Sequence, residues 1–151
     1  MISLQVHGIE QTAKKLNQVS NDLHGRPMAA GMQQATMLVT ADAKRLAPVD
    51  TGRLRASITP DVEVGAKEVV GVVGSNVVYA PYMELGTRPH WPPPGALAAW
   101  ARRHGVSEYV VARAIAARGT KERRFLRGSF EQNRGKVEQI IGQAVSGIVQ
   151  R

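Results

Sequence analysis

The chain has 151 residues, the size of one ordinary domain, contains no cysteine and carries a formal net charge of +8. A disulfide framework, a thiolate nucleophile and a cysteine-bound zinc site are thereby excluded. No apolar run approaches the roughly 20 residues of a membrane span, and MISLQVHG lacks a basic region followed by an apolar one, so a soluble chain without an export signal is expected.

In chain order, Ile2, Leu4 and Val6 alternate with polar residues, which predicts a short strand ending at Gly8. Ile9, Ala13, Leu16, Val19 and Leu23 recur at helical spacing and predict a first helix. After a break at His24 to Pro27, a second and longer helical pattern runs from Met28 through Met32, Ala35, Leu38, Val39 and Ala43 to Leu46. Pro27 suits the first turn of that helix, where no backbone N–H is needed, and Pro48 ends it. Residues 54–78 then turn to β-branched residues and glycine. LRASI, DVEV, EVVGVVG and NVVY predict an antiparallel meander of about three or four strands, with turns near Pro60-Asp61, Gly65-Ala66 and Ser75-Asn76.

Downstream, GALAAWARRHG and SEYVVARAIAARG predict a helix pair stopped by Gly105 and Gly119, with Ser107 as an N-cap. Val137, Ile140, Ile141, Ala144, Val145, Ile148 and Val149 form an apolar stripe that predicts a C-terminal helix packed on the sheet or on another subunit. The whole reads as one α+β domain over residues 1–151, without internal repeats.

The residue types that carry chemistry do not converge. Asp50-Thr51-Gly52 matches the catalytic triplet of retroviral-type aspartic proteases, in which two carboxylates share a proton. Those enzymes lead into the aspartate along an apolar strand, whereas Arg45 to Val49 precede it here. The expectation is therefore structural: Pro48, Asp50, Thr51 and Gly52 form the turn out of the long helix, with the aspartate accepting local backbone N–H bonds. Glu84, His90 and His104 lack the spacing of a metal site. No phosphate loop, dinucleotide fingerprint or nucleophile elbow occurs, and no cofactor is expected.

The charge is lopsided, since residues 101–151 hold eleven Lys and Arg against four Asp and Glu, which is +7 of the +8. Arg102, Arg103, Arg113, Arg118, Lys121, Arg123, Arg124 and Arg127 form a basic patch that suits phosphate, an acidic protein surface or a solvated helix face. Trp91, Trp100 and Tyr109 lie nearby, but Trp100 is placed on the apolar side of Ala96 to Ala99 and is expected to pack inward. Any nucleic-acid binding would be to the backbone, without sequence preference.

Three stretches carry a resemblance: APVDTGRLRASI (residues 47–58), YAPYMELGT (79–87) and RFLRGSF (124–130). In this order, with a long helix before and a helix after, the chain resembles the small head-tail joining, or tail-completion, proteins of long-tailed bacteriophages and prophages. Leu85 stands where the family often has an aromatic, and Arg124 and Gly128-Ser129 replace prolines, which implies a looser start to the last helix. The segment 88–120 looks like a helical insertion of variable length.

The resemblance implies a structural neck protein without catalysis. It implies a ring, sixfold or a multiple, between a head-side connector protein and the tail tube or tail terminator, with no membrane and assembly in the host cytoplasm; the basic patch then faces either acidic neighbouring rings or, non-specifically, the channel DNA. Tyr79, Tyr82, Glu84, Trp91 and Phe125 are then expected as subunit or partner contacts, with Phe125 and Phe130 anchoring the last helix.

Overall fold

The computed structural model describes residues 9–150, with side chains from residue 11 onward. The strand expected at Ile2 to Gly8 lies outside the described residues. The remainder is an α+β fold. Its helices are α1 (Ile9–Leu23), α2 (Arg26–Leu46), α3 (Arg53–Ser57), α4 (Ala80–Leu85), α5 (Ala98–Arg103), α6 (Glu108–Arg118) and α7 (Phe125–Val149), and β1 (Ile58–Val64) and β2 (Val69–Ser75) form its sheet.

Helices α1 and α2 break where the sequence places the break. Backbone N–H groups of His24 and Gly25 turn back to the carbonyls of Asn21 and Asp22, both at 3.3 Å. Gly25 leaves room for this, since a Cβ there would sit 2.8 Å from the Asn21 carbonyl oxygen. Pro27 occupies the first turn of α2, and the last helical bond runs from Ala47 N–H to Ala43 O at 2.9 Å, one residue before Pro48.

The expected meander is corrected to a two-stranded antiparallel hairpin among the described residues. LRAS is helical, because Gly52 adopts a left-handed conformation (φ 81°) and its carbonyl accepts the Ala56 N–H at 2.9 Å, starting a turn that buries Leu54 and exposes Arg53 and Arg55. NVVY is a turn, because the Ser75 hydroxyl accepts the Val77 N–H at 3.2 Å and ends the ladder. Pro60 lies within β1 and not at a turn, an accepted place for proline on an edge strand. The turn near Gly65 is present, closed by Gly65 N–H to Glu68 O at 2.8 Å.

The residues fall into two compact units. In one, the described residues of 1–38, 60–72 and 133–151, small residues permit close approach: a Cβ at Gly31 would come within 2.6 Å of Ala144 Cβ, and one at Gly71 within 2.6 Å of Thr36 Cγ2 and 2.7 Å of Met32 Cγ. Helices α2 and α7, and the sheet and α2, therefore touch nearly backbone to side chain. Ala35, Thr36 and Ile148 are buried there.

In the other unit, residues 39–59 and 73–132, Ala43, Ala47, Leu54, Ile58, Val77, Ala80 and Phe125 form the core, with Val73, Met83 and Leu126 packed on it. Phe125 thus seats the first turn of α7 on residues of β1 and β2. Burial of such side chains stabilises by roughly 1.5–3 kcal/mol each. Among the described residues one buried side-chain polar atom has no partner, the hydroxyl of Thr40 on α2.

Candidate functional site

The three stretches singled out in the sequence come together around α4. Its C-terminal residue, Leu85, is followed by Gly86 at φ 72°, and Thr87 then pairs with Thr120 in an isolated antiparallel bridge. Thr87 N–H donates to Thr120 O at 3.1 Å, Thr120 N–H to Thr87 O at 3.2 Å, and the two hydroxyls lie 3.0 Å apart. Gly86 and Gly119 are the residues that let the backbones approach. Both have positive φ, and a Cβ on either would collide with a carbonyl across the bridge, that of Thr120 or of Thr87. The chain leaves at Thr87 and returns at Thr120, so residues 88–119, with α5 and α6, form a closed excursion.

Beyond the bridge, α4 is joined to the start of α7. Arg123 N–H donates to Met83 O at 2.9 Å and Arg124 N–H to Glu84 O at 3.1 Å. The Glu84 carboxylate accepts the N–H groups of Leu126 and Arg127, both at 2.9 Å. It takes up two otherwise orphaned donors and sets negative charge at the positive end of the helix dipole. Arg124 is held in the left-handed region (φ 42°) by these bonds. In place of the prolines, Gly128 N–H bonds Arg124 O at 2.7 Å, Ser129 is buried and its hydroxyl donates to Leu126 O at 2.7 Å.

Two expected contact residues have roles within the fold, and Glu84 is only half-buried. Phe125 is 0% exposed and belongs to the core, and the Glu84 carboxylate caps α7. Tyr79 and Tyr82 do face solvent. With Val78 (87% exposed) and Leu85 (72%), Tyr82 (59%) makes an apolar and aromatic surface on one short turn, while Ala80 beneath it is buried. Sequence reasoning named the tyrosines and missed Val78, whose place between buried Val77 and Tyr79 in a β-branched run concealed that it points outward.

The excursion presents a second exposed surface. Trp91, in the proline-stiffened lead, and Tyr109 on α6 lie with ring centroids 6.3 Å apart, and His90 N–H reaches Ile115 O at 3.4 Å. Trp100 does not pack inward as expected. Ala101 takes the buried position, and Trp100 stacks on His104 at 4.2 Å, with His104 Nδ1 donating to Trp100 O at 2.9 Å. Ser107 is at the N-cap of α6, but its side chain makes no capping bond.

The basic residues divide into paired and unpaired. Arg103 donates to Asp50 from Nε, at 3.0 Å to Oδ1, and from Nη2 to Oδ2. The carboxylate expected to bond local backbone thus reaches across 53 residues to α5. That hydrogen bond is the main cause of a pKa lowered for Asp50 and raised for Arg103. Asp50 thus serves as the ion-pair partner of Arg103, tying the turn after α2 to α5.

Arg124 pairs with Glu122 at 2.7 Å, its pKa raised chiefly by that bond, and Arg127 pairs with Glu131 at 2.8 Å. Arg102, Arg113, Arg118, Lys121 and Arg123 are exposed and form no ion pair among the described residues. Among the described residues no group of three or more His, Asp or Glu is placed to hold a metal ion, and no helix is long and apolar enough to cross a membrane.

A family model, "Bacteriophage HK97-gp10, putative tail-component", matches residues 10–86, just over half of the chain. The matched span ends one residue before the Thr87–Thr120 bridge. Searches of curated proteins and of solved structures found no significant match.

Proposed function

Because the chain belongs to the HK97-gp10-like family of bacteriophage tail components, we propose that it is a structural protein of the phage neck. In this reading it forms a ring, sixfold or a multiple, that completes the end of the tail and joins it to the head-side connector during assembly in the host cytoplasm, without catalysis. The observation that carries the reading is the apolar surface of Val78, Tyr79, Tyr82 and Leu85, held on one rigid turn by the bonds between α4 and α7. Aromatic rings with few rotors on a preorganised support are what a protein interface requires. Repetition around a ring lets modest contacts hold, because each closes the next.

Disrupting the gene tests this directly. Filled heads and finished tails should accumulate unjoined, and restoring the gene should rejoin them; normal joined virions from the disrupted phage would overturn the reading.

A second reading is favoured by the unpaired cations at Arg102, Arg113, Arg118, Lys121 and Arg123: non-specific contact with channel DNA. The purified chain would then retard short duplex DNA at low salt and release it steeply as salt rises.

A further inference from the structure

The excursion and the flanking residues up to 123 hold seven cations, six of them arginine, against the acids Glu108 and Glu122. Arg103 and Glu122 are engaged in ion pairs, which leaves Arg88, Arg102, Arg113, Arg118, Lys121 and Arg123 exposed and unpaired. On the same excursion Trp91, Tyr109 and Val110 are each more than 60% exposed. Arginine with large aromatics, and little lysine, is the composition of a protein-binding surface. Contacts to the backbone of duplex DNA are made chiefly by cations and hydrogen-bond donors, which gives those rings little to do there.

The chain itself carries the complement. Among the residues with described side chains, the acids engaged in neither an ion pair nor a helix cap are Asp22, Asp61, Glu63, Glu68 and Glu108. Three of those five lie on the β1–β2 hairpin, which has one cation, Lys67, and exposed valines at 64, 70 and 72.

We propose that copies of this chain associate head to tail, the acidic, valine-bearing hairpin of one copy seating on the arginine and aromatic surface of the excursion in the next. Such a contact uses two different surfaces and so generates a ring when its rotation closes. The inference rests on the ring reading above and supplies the contact from which the ring is built.

The absence of native cysteine makes the test clean. Full-length chains carrying Glu63→Cys and Arg113→Cys are mixed and oxidised, with Lys136→Cys and Arg113→Cys as the control pair. The first pair should cross-link about tenfold more than the control, and less as salt rises. Reversal of the hairpin (Asp61→Lys, Glu63→Lys, Glu68→Lys) should weaken self-association at least about tenfold. Mixing that chain with an Arg102→Glu, Arg113→Glu, Arg118→Glu chain should restore it.

Equal cross-linking of the two pairs, or association indifferent to both reversals, overturns the contact. So does duplex DNA binding that is lost in the arginine variant without preferential cross-linking, which would assign the cations to DNA. Failure here leaves the neck reading standing if disruption of the gene still yields unjoined heads and tails.

Discussion

The carboxylate of Glu84 accepts the backbone N–H of Leu126, 42 residues away, and of the next residue, so the last residues of α4 cap the first turn of α7. Glu84→Ala removes both acceptors and should destabilise the fold by about 1–2 kcal/mol, the usual cost of a lost cap. Glu84→Gln retains one carbonyl acceptor and should fall between. Thermal or urea unfolding of the three chains checks the order.

The Asp50–Arg103 pair links the turn after α2 to α5, and its contribution depends on pH. Asp50 has a folded-state pKa below its ordinary 3.8. The stabilisation is therefore fully present above 3.8 and is lost as pH falls through the lowered folded value. The stability difference between the parent chain and Asp50→Asn should be constant at neutral pH, vanish in acid and shrink with added salt, because both side chains are exposed. A difference that persists undiminished below the folded value would contradict the assignment.

Thr40 has a buried hydroxyl with no partner. Thr40→Val keeps the shape and removes the unsatisfied group, and should stabilise by about 1 kcal/mol. Chemical denaturation of the two chains, with an unchanged m-value, measures it.

Gly119 and Gly105 share positive φ, 70° and 65°, but only Gly119 faces a carbonyl at the site of a Cβ, that of Thr87, while nothing lies within 4 Å at Gly105. Alanine should cost more than about 1 kcal/mol at Gly119 and distinctly less at Gly105. Equal losses would mean that backbone conformation alone, and not the bridge, demands glycine.

Tyr82 and Phe125 separate assembly from folding. Tyr82→Ala, at an exposed position, should change stability by less than about 0.5 kcal/mol yet impair head-tail joining in complementation. Phe125→Ala, in the core, should destabilise by about 3–5 kcal/mol.

The long helices were legible because apolar spacing and prolines agree: Pro27 and Pro48 bracket α2 in sequence as in space. The end of the hairpin was not, since Val77 and Val78 continue a β-branched run that a single hydroxyl, Ser75, interrupts. LRAS was misread because its strand-like neighbour Ile58 outweighed the helix-starting Gly52. At the candidate site the aromatic residues stood out by type. Glu84 and Asp50 were singled out too, but not for the roles they play, because their partners lie 42 and 53 residues away and no local pattern encodes such a pairing.

The Thr87–Thr120 bridge has a consequence for how this chain can be altered. The 32 residues from 88 to 119 need only span a gap of about 5 Å, the spacing of paired strands. Halving their number changes the cost of closing the loop by only about 0.6 kcal/mol. The bridge thus closes the excursion at a cost nearly independent of its length, and α4, α7 and their shared cap should keep their bonds in a chain whose excursion is shortened between Thr87 and Thr120.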